Sequence, residues 1–329
     1  MVLMIGAGAV GTILAAYLSA AKQPVKLLIR KKYWQQYTAT PALVVDRPNG
    51  KTLLTAPKPA LTTVLDLTGV NYLILCVKYP DIDAILAQLP DTLPPNLTLV
   101  STLNGVEAIR RVRARFSGQK CVCMTIMYNG QFLSPLHAQI TTRPQIIIGS
   151  NDAGLLKLFA GSPMKVRTAK GETAAWGKLL INLANAIGAL THSTFKDLLT
   201  RRDLRIVFAA VLDEAVSTLR HAHIDFELPI PIPPERYRGL LLKGGPLPWW
   251  FARVRNGLLP GSYPSMVADV EAGRTTEVIQ LNGEIVALAK RHQRPAPHNE
   301  KIVALVRGFE GKKPPPYLTP AQLRAKLGL

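Results

Sequence analysis

Acidic residues are scarce in this chain of 329 residues: 21 aspartates and glutamates stand against 40 lysines and arginines, for a formal net charge of +19. That balance excludes an acidic, solvating chain and favours anionic ligands or acidic surfaces. The basic residues form short clusters spread over the whole length, at Arg30 to Lys32, Arg110 to Arg115, Arg201 to Arg205, Arg253 to Arg255, Lys290 to Arg294 and Lys312 to Lys313. Neither zinc-finger spacing nor an aromatic-studded basic helix goes with them, so no dedicated nucleic-acid module is expected.

Cysteine is scarcer still. Cys76, Cys121 and Cys123 are the only three, and two thiols two residues apart on a strand do not readily bridge. No Cys/His cluster accompanies them, so core packing is expected in place of a disulfide scaffold, a metal site or redox chemistry. Long hydrophobic runs are also missing: no stretch of about 18 uninterrupted apolar residues occurs, as a membrane span would need. The apolar N-terminal stretch lacks a basic leader and a small-residue cleavage site. A cytoplasmic protein with no membrane partner is the expectation. With 48% hydrophobic and 19% charged residues the chain is globular, and its length predicts two domains.

What is present begins at the N-terminus, "MVLMIGAGAVGTILAAYL". A short buried-strand run (Val2 to Ile5) is followed at once by Gly6-Ala7-Gly8-Ala9-Val10-Gly11 and then by helical periodicity. Glycines at that spacing let a pyrophosphate approach backbone amides at a helix N-terminus. The second strand, "VKLLIR", ends on Arg30 with no acid to take ribose hydroxyls. An arginine fork there suits the 2′-phosphate of NADPH. Lys78, after the strand "YLILCV", and Asn104, after "LTLVSTL", fall at carboxyl ends of strands, where open α/β sheets bind ligands. "KCVCMTIMY" and "QIIIGS" read as later strands, and Lys165 to Thr168 as the lead out of the domain. The fold expected is α/β: a Rossmann-type doubly wound sheet over residues 1–168, then an all-helical domain over residues 169–329.

The second half reads as helices. "WGKLLINLANAIGAL" sets Lys178, Asn182 and Asn185 on one face of an otherwise apolar helix. "SMVADVEAGRTTEVIQLNGEIVALAKRH" predicts one long helix carrying Ser265, Asp269 and Glu277 near one face. Between them a proline- and glycine-dense excursion, Leu228 to Pro260, holds Trp249, Trp250 and Phe251. If the two helices meet at the crevice, an ammonium acid and a carboxylate would converge on whatever lies beside a nicotinamide.

The residues "GAGAVG", Arg30, "CVK", "LNG", "WGKLLIN" and "SMVADVEAGRTTEVIQLNG" resemble, in order and spacing, the ketopantoate reductase (2-dehydropantoate 2-reductase) family over most of the chain. The resemblance implies reduction of ketopantoate to pantoate by NADPH in pantothenate biosynthesis, with Lys178 as proton donor and Glu277 as substrate anchor and support for the lysine. It implies substrate contacts from Asn104, Lys178, Asn182, Ser265 and Glu277, and cofactor contacts from the glycine turn, Arg30, Lys78 and Asn104. No metal is implied, and a homodimer is compatible with it. Where the family often has a second asparagine, eight residues beyond the lysine, this sequence has Ala186. The competing readings are a reductase of another 2-oxo acid, a relative of the β-hydroxyacid dehydrogenases, or a catalytically silent NADPH-binding sensor.

Overall fold

Val2–Ile5, four apolar residues with no exposed member, forms strand β1 at the heart of the N-terminal sheet. The computed structural model describes the backbone of residues 1–329 and every side chain except those of residues 255 and 256. The chain divides into two units, Met1–Glu172 and Thr173–Leu329.

In the first unit the strands are β1, β2 (Val25–Leu28), β3 (Ala42–Asp46), β4 (Thr52–Pro57), β5 (Ala60–Thr62), β6 (Tyr72–Leu75), β7 (Thr98–Ser101), β8 (Cys121–Ile126), β9 (Gly130–Ser134), β10 (His137–Ile140), β11 (Gln145–Ile148) and β12 (Lys165–Thr168). Its helices are α1 (Ala9–Ala20), α2 (Trp34–Ala39), α3 (Ile82–Gln88), α4 (Glu107–Arg115) and α5 (Ala153–Lys157). The large sheet runs β12-β11-β8-β7-β6-β1-β2-β5, and every pairing from β8 to β5 is parallel. Numbered by their order within this sheet, those strands lie 6-5-4-1-2-3, the arrangement of dinucleotide-binding sheets, with the strand order reversing between β1 and β6. β11 is antiparallel to β8, and Lys165–Thr168 joins the sheet as its edge strand.

Strand alternation sorts the core into two clusters. Val2, Met4, Ile74 and Val100 pack on one side with α1, while Leu3, Ile5, Leu73 and Leu99 pack on the other with Ile82 and Leu86 of α3 and Val112 of α4. A second sheet, β4-β3-β10-β9, has no counterpart among the strands the sequence pattern predicts. It packs on α1, and so the helix from Gly11 to Ser19 is buried all round. That explains its nearly uniform apolar sequence.

The second unit is helical: α6 (Thr173–Asn182), α7 (Ala184–Thr191), α8 (Phe195–Thr200), α9 (Arg202–His221), α10 (Pro234–Lys243), α11 (Leu247–Asn256), α12 (Ser265–Glu271), α13 (Asn282–Arg291), α14 (Pro297–Arg307) and α15 (Pro320–Leu327). α9, with 20 residues, is the hub that α6, α7, α8, α10, α13, α14 and α15 all touch. The Leu228 to Pro260 excursion holds two of these helices, α10 and α11.

The long helix predicted from Ser265 onward does not form. Gly273, at φ +64°, ends α12: its N–H donates to Val270 O at 2.9 Å and Arg274 N–H to Asp269 O at 2.8 Å, the paired bonds of a Schellman cap. Asp269 then pairs with Arg274 at 2.8 Å. Ser265 and Asp269 therefore lie on α12, whereas Glu277 lies in the turn that leads into α13.

Candidate functional site

The glycine turn follows from close packing. A Cβ on Gly6, whose φ is +108°, would stand 2.7 Å from the backbone of Cys76 at the end of β6. One on Gly11 would stand 1.8 Å from Gly6 O. Only glycine fits at either place. Gly8, the N-cap of α1, meets nothing within 4 Å, so the turn is tight beneath and open above. The first turn of α1 carries no acid. Open backbone amides at the start of a 12-residue helix suit a pyrophosphate. Ala7, Ala9 and Val10 complete this loop.

Two buried tyrosines that the pattern reading missed hold its carbonyls. Tyr37 of α2 donates to Ala7 O at 2.9 Å and Tyr128, after β8, to Val10 O at 3.2 Å. Burial, with Tyr33 adding for Tyr37, pushes both phenols above their ordinary value, so they remain donors through neutral pH. No local motif marks either tyrosine; they become relevant only when the chain returns to the loop. Cys76 lies beneath the same turn, its thiol pushed up to about 12 by burial, which suits packing and not nucleophilic work.

Around this turn stand the other candidates of the first unit. Arg30, exposed after β2, pairs with Asp81 at 2.9 Å. Lys78 is exposed at the carboxyl end of β6. Asn104 is half-buried after β7, before Gly105 at φ +77°. Glu107, three residues on, binds Arg110 at 2.5 Å and Arg111 at 2.9 Å. Although burial raises it, those guanidiniums hold its carboxyl below the ordinary range. Arg111 also bonds Asp83 at 2.6 Å and lies 5.1 Å from the Tyr79 ring centroid, so α4 is tied to α3 and to the turn after β6.

In the second unit, Lys178 and Asn182 lie four residues apart on α6, both half-buried. Gly177 fixes that helix: a Cβ there would stand 1.7 Å from Glu227 O, and Glu227 N–H donates to Thr173 O at 2.9 Å. Asn185 is buried at 7% exposure in α7. α7 packs on α12, where Pro264, just before the exposed Ser265, would meet a Cβ on Gly188 at 2.8 Å.

Glu277 is half-buried, and its neighbour Thr276 is pinned by Glu310, whose Oε1 accepts from Thr276 N–H at 2.9 Å and from its hydroxyl at 2.8 Å. Asn282, from the "IQLNG" run, is wholly buried and donates to Asn299 Oδ1 at 3.1 Å. Asn299 in turn donates to Glu214 at 2.9 Å, so this part of the signature joins α13, α14 and α9.

Sheet order and glycine turn define a build of the dinucleotide-binding class. Residues 2–153 match the family model described as Ketopantoate reductase PanE/ApbA, and residues 171–310 its C-terminal companion. The chain belongs to the ketopantoate reductase family. A 2-dehydropantoate 2-reductase of Caulobacter vibrioides is 26% identical over 306 residues, 92% of this chain and 97% of the relative. That of Aquifex aeolicus is 22% identical, over 94% and 96%. In fold, the chain is similar to a PanE/ApbA family ketopantoate reductase from Ralstonia eutropha (TM-score 0.76, 24% identity, covering 94% and 98%). It is equally similar to a D-mandelate dehydrogenase solved with NADH and anilino(oxo)acetate (TM-score 0.77, 17% identity, covering 94% and 98%).

Proposed function

We propose that the protein reduces a 2-oxo acid at the expense of NADPH, with 2-dehydropantoate as substrate and pantoate as product in pantothenate biosynthesis. The observation that carries this reading is Lys178 with Asn182 on one face of a helix locked at Gly177, in a chain of this family. The glycine turn of the first unit holds the pyrophosphate, Arg30 meets the 2′-phosphate, and Lys78 and Asn104 attend the ribose and nicotinamide.

NADPH, when bound, supplies a hydride to the C2 carbonyl carbon. Lys178 would give its ammonium proton to the substrate's C2 oxygen as the carbonyl π pair moves onto it, leaving a neutral amine and a hydroxyl. An ammonium there stabilises the growing negative charge before the proton moves. Asn182 and Ser265 orient the substrate, and Glu277 anchors its hydroxyl and supports the lysine.

The test is NADPH oxidation followed spectrophotometrically against 2-dehydropantoate and a panel of other 2-oxo acids, aromatic ones included. Turnover confined to an aromatic acid would favour the second reading, a reductase of another 2-oxo acid, to which the fold likeness with D-mandelate dehydrogenase draws attention. NADPH binding without turnover of any member would leave a silent sensor. Replacing NADPH with NADH in the same assay checks the cofactor.

A further inference from the structure

Helix α11 carries an apolar stripe on its outer side. Leu247, Trp250, Phe251 and Val254 follow the i, i+3, i+4, i+7 spacing of a single helical face and are 48%, 53%, 38% and 49% exposed. Leu242 of α10 and Leu259 and Tyr263 beyond α11 add exposed apolar surface. Scattered exposed leucines need no explanation, but a stripe along a whole helix marks a contact surface. The other side of the pair is well seated. Pro248 is buried, α11 rests on α8, and buried Arg205 donates to Leu241 O at 2.5 Å beside the Gly244 joint.

Charge selects the partner. Lys196 on α8, Arg201 and Arg202 just after it, Lys243 at the end of α10 and Arg253 beside the stripe are all exposed. The acids of these elements are engaged elsewhere: Asp197 caps Thr194, Asp203 pairs with Arg324 at 3.0 Å, and Glu235 pairs with Arg220. A second copy of the chain would bring the same positive charges on α11 and the elements that adjoin it, whereas an anionic surface complements them. We propose that this face docks on an anionic lipid bilayer, with Trp250 and Phe251 entering the headgroup boundary and the basic residues meeting lipid phosphates. Among the described residues no helix is long and apolar enough to cross a membrane, so the contact is peripheral. It runs counter to the expectation of no membrane partner, which rested on the lack of a spanning run, and it does not depend on the identity of the substrate.

The test is co-sedimentation of the full chain with vesicles of equimolar phosphatidylglycerol and phosphatidylcholine, and with vesicles of phosphatidylcholine alone. Binding is expected to the anionic vesicles, with blue-shifted tryptophan emission and a decline as salt rises. The double variant W250A/F251A should lower partitioning at least about tenfold, because binding scales with inserted apolar area, while circular dichroism and NADPH binding stay as in the parent. Substitution of Arg201→Glu with Arg202→Glu should also weaken binding, with the stripe intact. Absence of binding, equal binding to both vesicles, or unchanged binding of the double variant overturns the proposal. So does a dimer in sedimentation equilibrium that W250A/F251A dissolves, which would assign the stripe to a second copy.

Discussion

Arg30 and Asp81 meet at 2.9 Å above the carboxyl edge of the sheet. One follows β2 and the other β6, the two strands that flank β1, so the pair bridges the ground over the glycine turn. An anion that reaches Arg30 there must share or displace an aspartate. Both partners are well exposed, at 62% and 43%, and such pairs are worth about 0–1 kcal/mol. Asp81→Asn should therefore tighten NADPH binding by up to about fivefold and leave NADH nearly unchanged, as titration calorimetry would read. Arg30→Ala should weaken NADPH far more than NADH. Equal changes for the two cofactors would refute the phosphate assignment.

Gly8 and Gly11 make a matched pair of tests. Gly11→Ala forces a Cβ to within 1.8 Å of Gly6 O and should cost about 3 kcal/mol or more of stability, since backbone has to move. Gly8→Ala meets nothing within 4 Å; it should melt near the parent and yet lose cofactor affinity by about tenfold or more, because its methyl would stand where the pyrophosphate approaches the backbone. A Gly8→Ala variant that binds NADPH as the parent does would remove the pyrophosphate from this turn.

Lys178→Ala should lower turnover by about 10²- to 10⁴-fold, the usual contribution of a general acid, with NADPH affinity kept. Glu310→Gln weakens the grip on Thr276 and should raise KM for the oxo acid more than it lowers kcat, if the Glu277 turn positions substrate. Steady-state kinetics on both variants separates the roles. Unchanged turnover in Lys178→Ala would end the mechanism.

Asp152 links pH to the stability of the first unit. Its carboxylate accepts from Leu155 N–H at 2.7 Å and Tyr72 hydroxyl at 3.0 Å, and pairs with Lys120. Burial alone would raise it, but Lys120, Leu155 and Tyr72 outweigh that and hold it below its ordinary 3.8. Tyr72 is pushed up to about 12 by burial and by this carboxylate. A depressed carboxyl contributes stability above its unfolded value, and that stability is lost as pH falls through the lower folded value. Asp152→Asn should therefore cost about 1–2 kcal/mol at neutral pH, with the gap to the parent closing below pH 3.8. Denaturant midpoints across pH would check it; a gap that stays constant into acid would assign the loss to packing.

The first unit was legible where local chemistry and strand pattern coincide. Val2–Ile5, Gly6, Gly11 and the apolar α1 announce a buried strand, a tight turn and a buried helix within 20 residues, and each requirement is steric. The small sheet was not legible, because β9 is exposed along its whole length and the pairing that joins its two hairpins, β3 with β10, links distant parts of the chain. The predicted helix from Ser265 failed at Gly273, where a C-cap glycine sits inside a pattern whose apolar spacing continues on both sides.

Residue type and spacing alone marked the glycine turn, the basic end of β2 and the Lys178–Asn182 face, since each is a pattern within a few neighbouring residues, even though Cys76 sets the steric demand at Gly6. Tertiary structure decided that Asp81 shares Arg30, that Tyr37 and Tyr128 brace the turn, that Glu310 pins the turn bearing Glu277, and that α11 shows its apolar stripe outward. Those relations join residues far apart in the chain, and only folding brings their charges and hydrogen-bonding groups within reach.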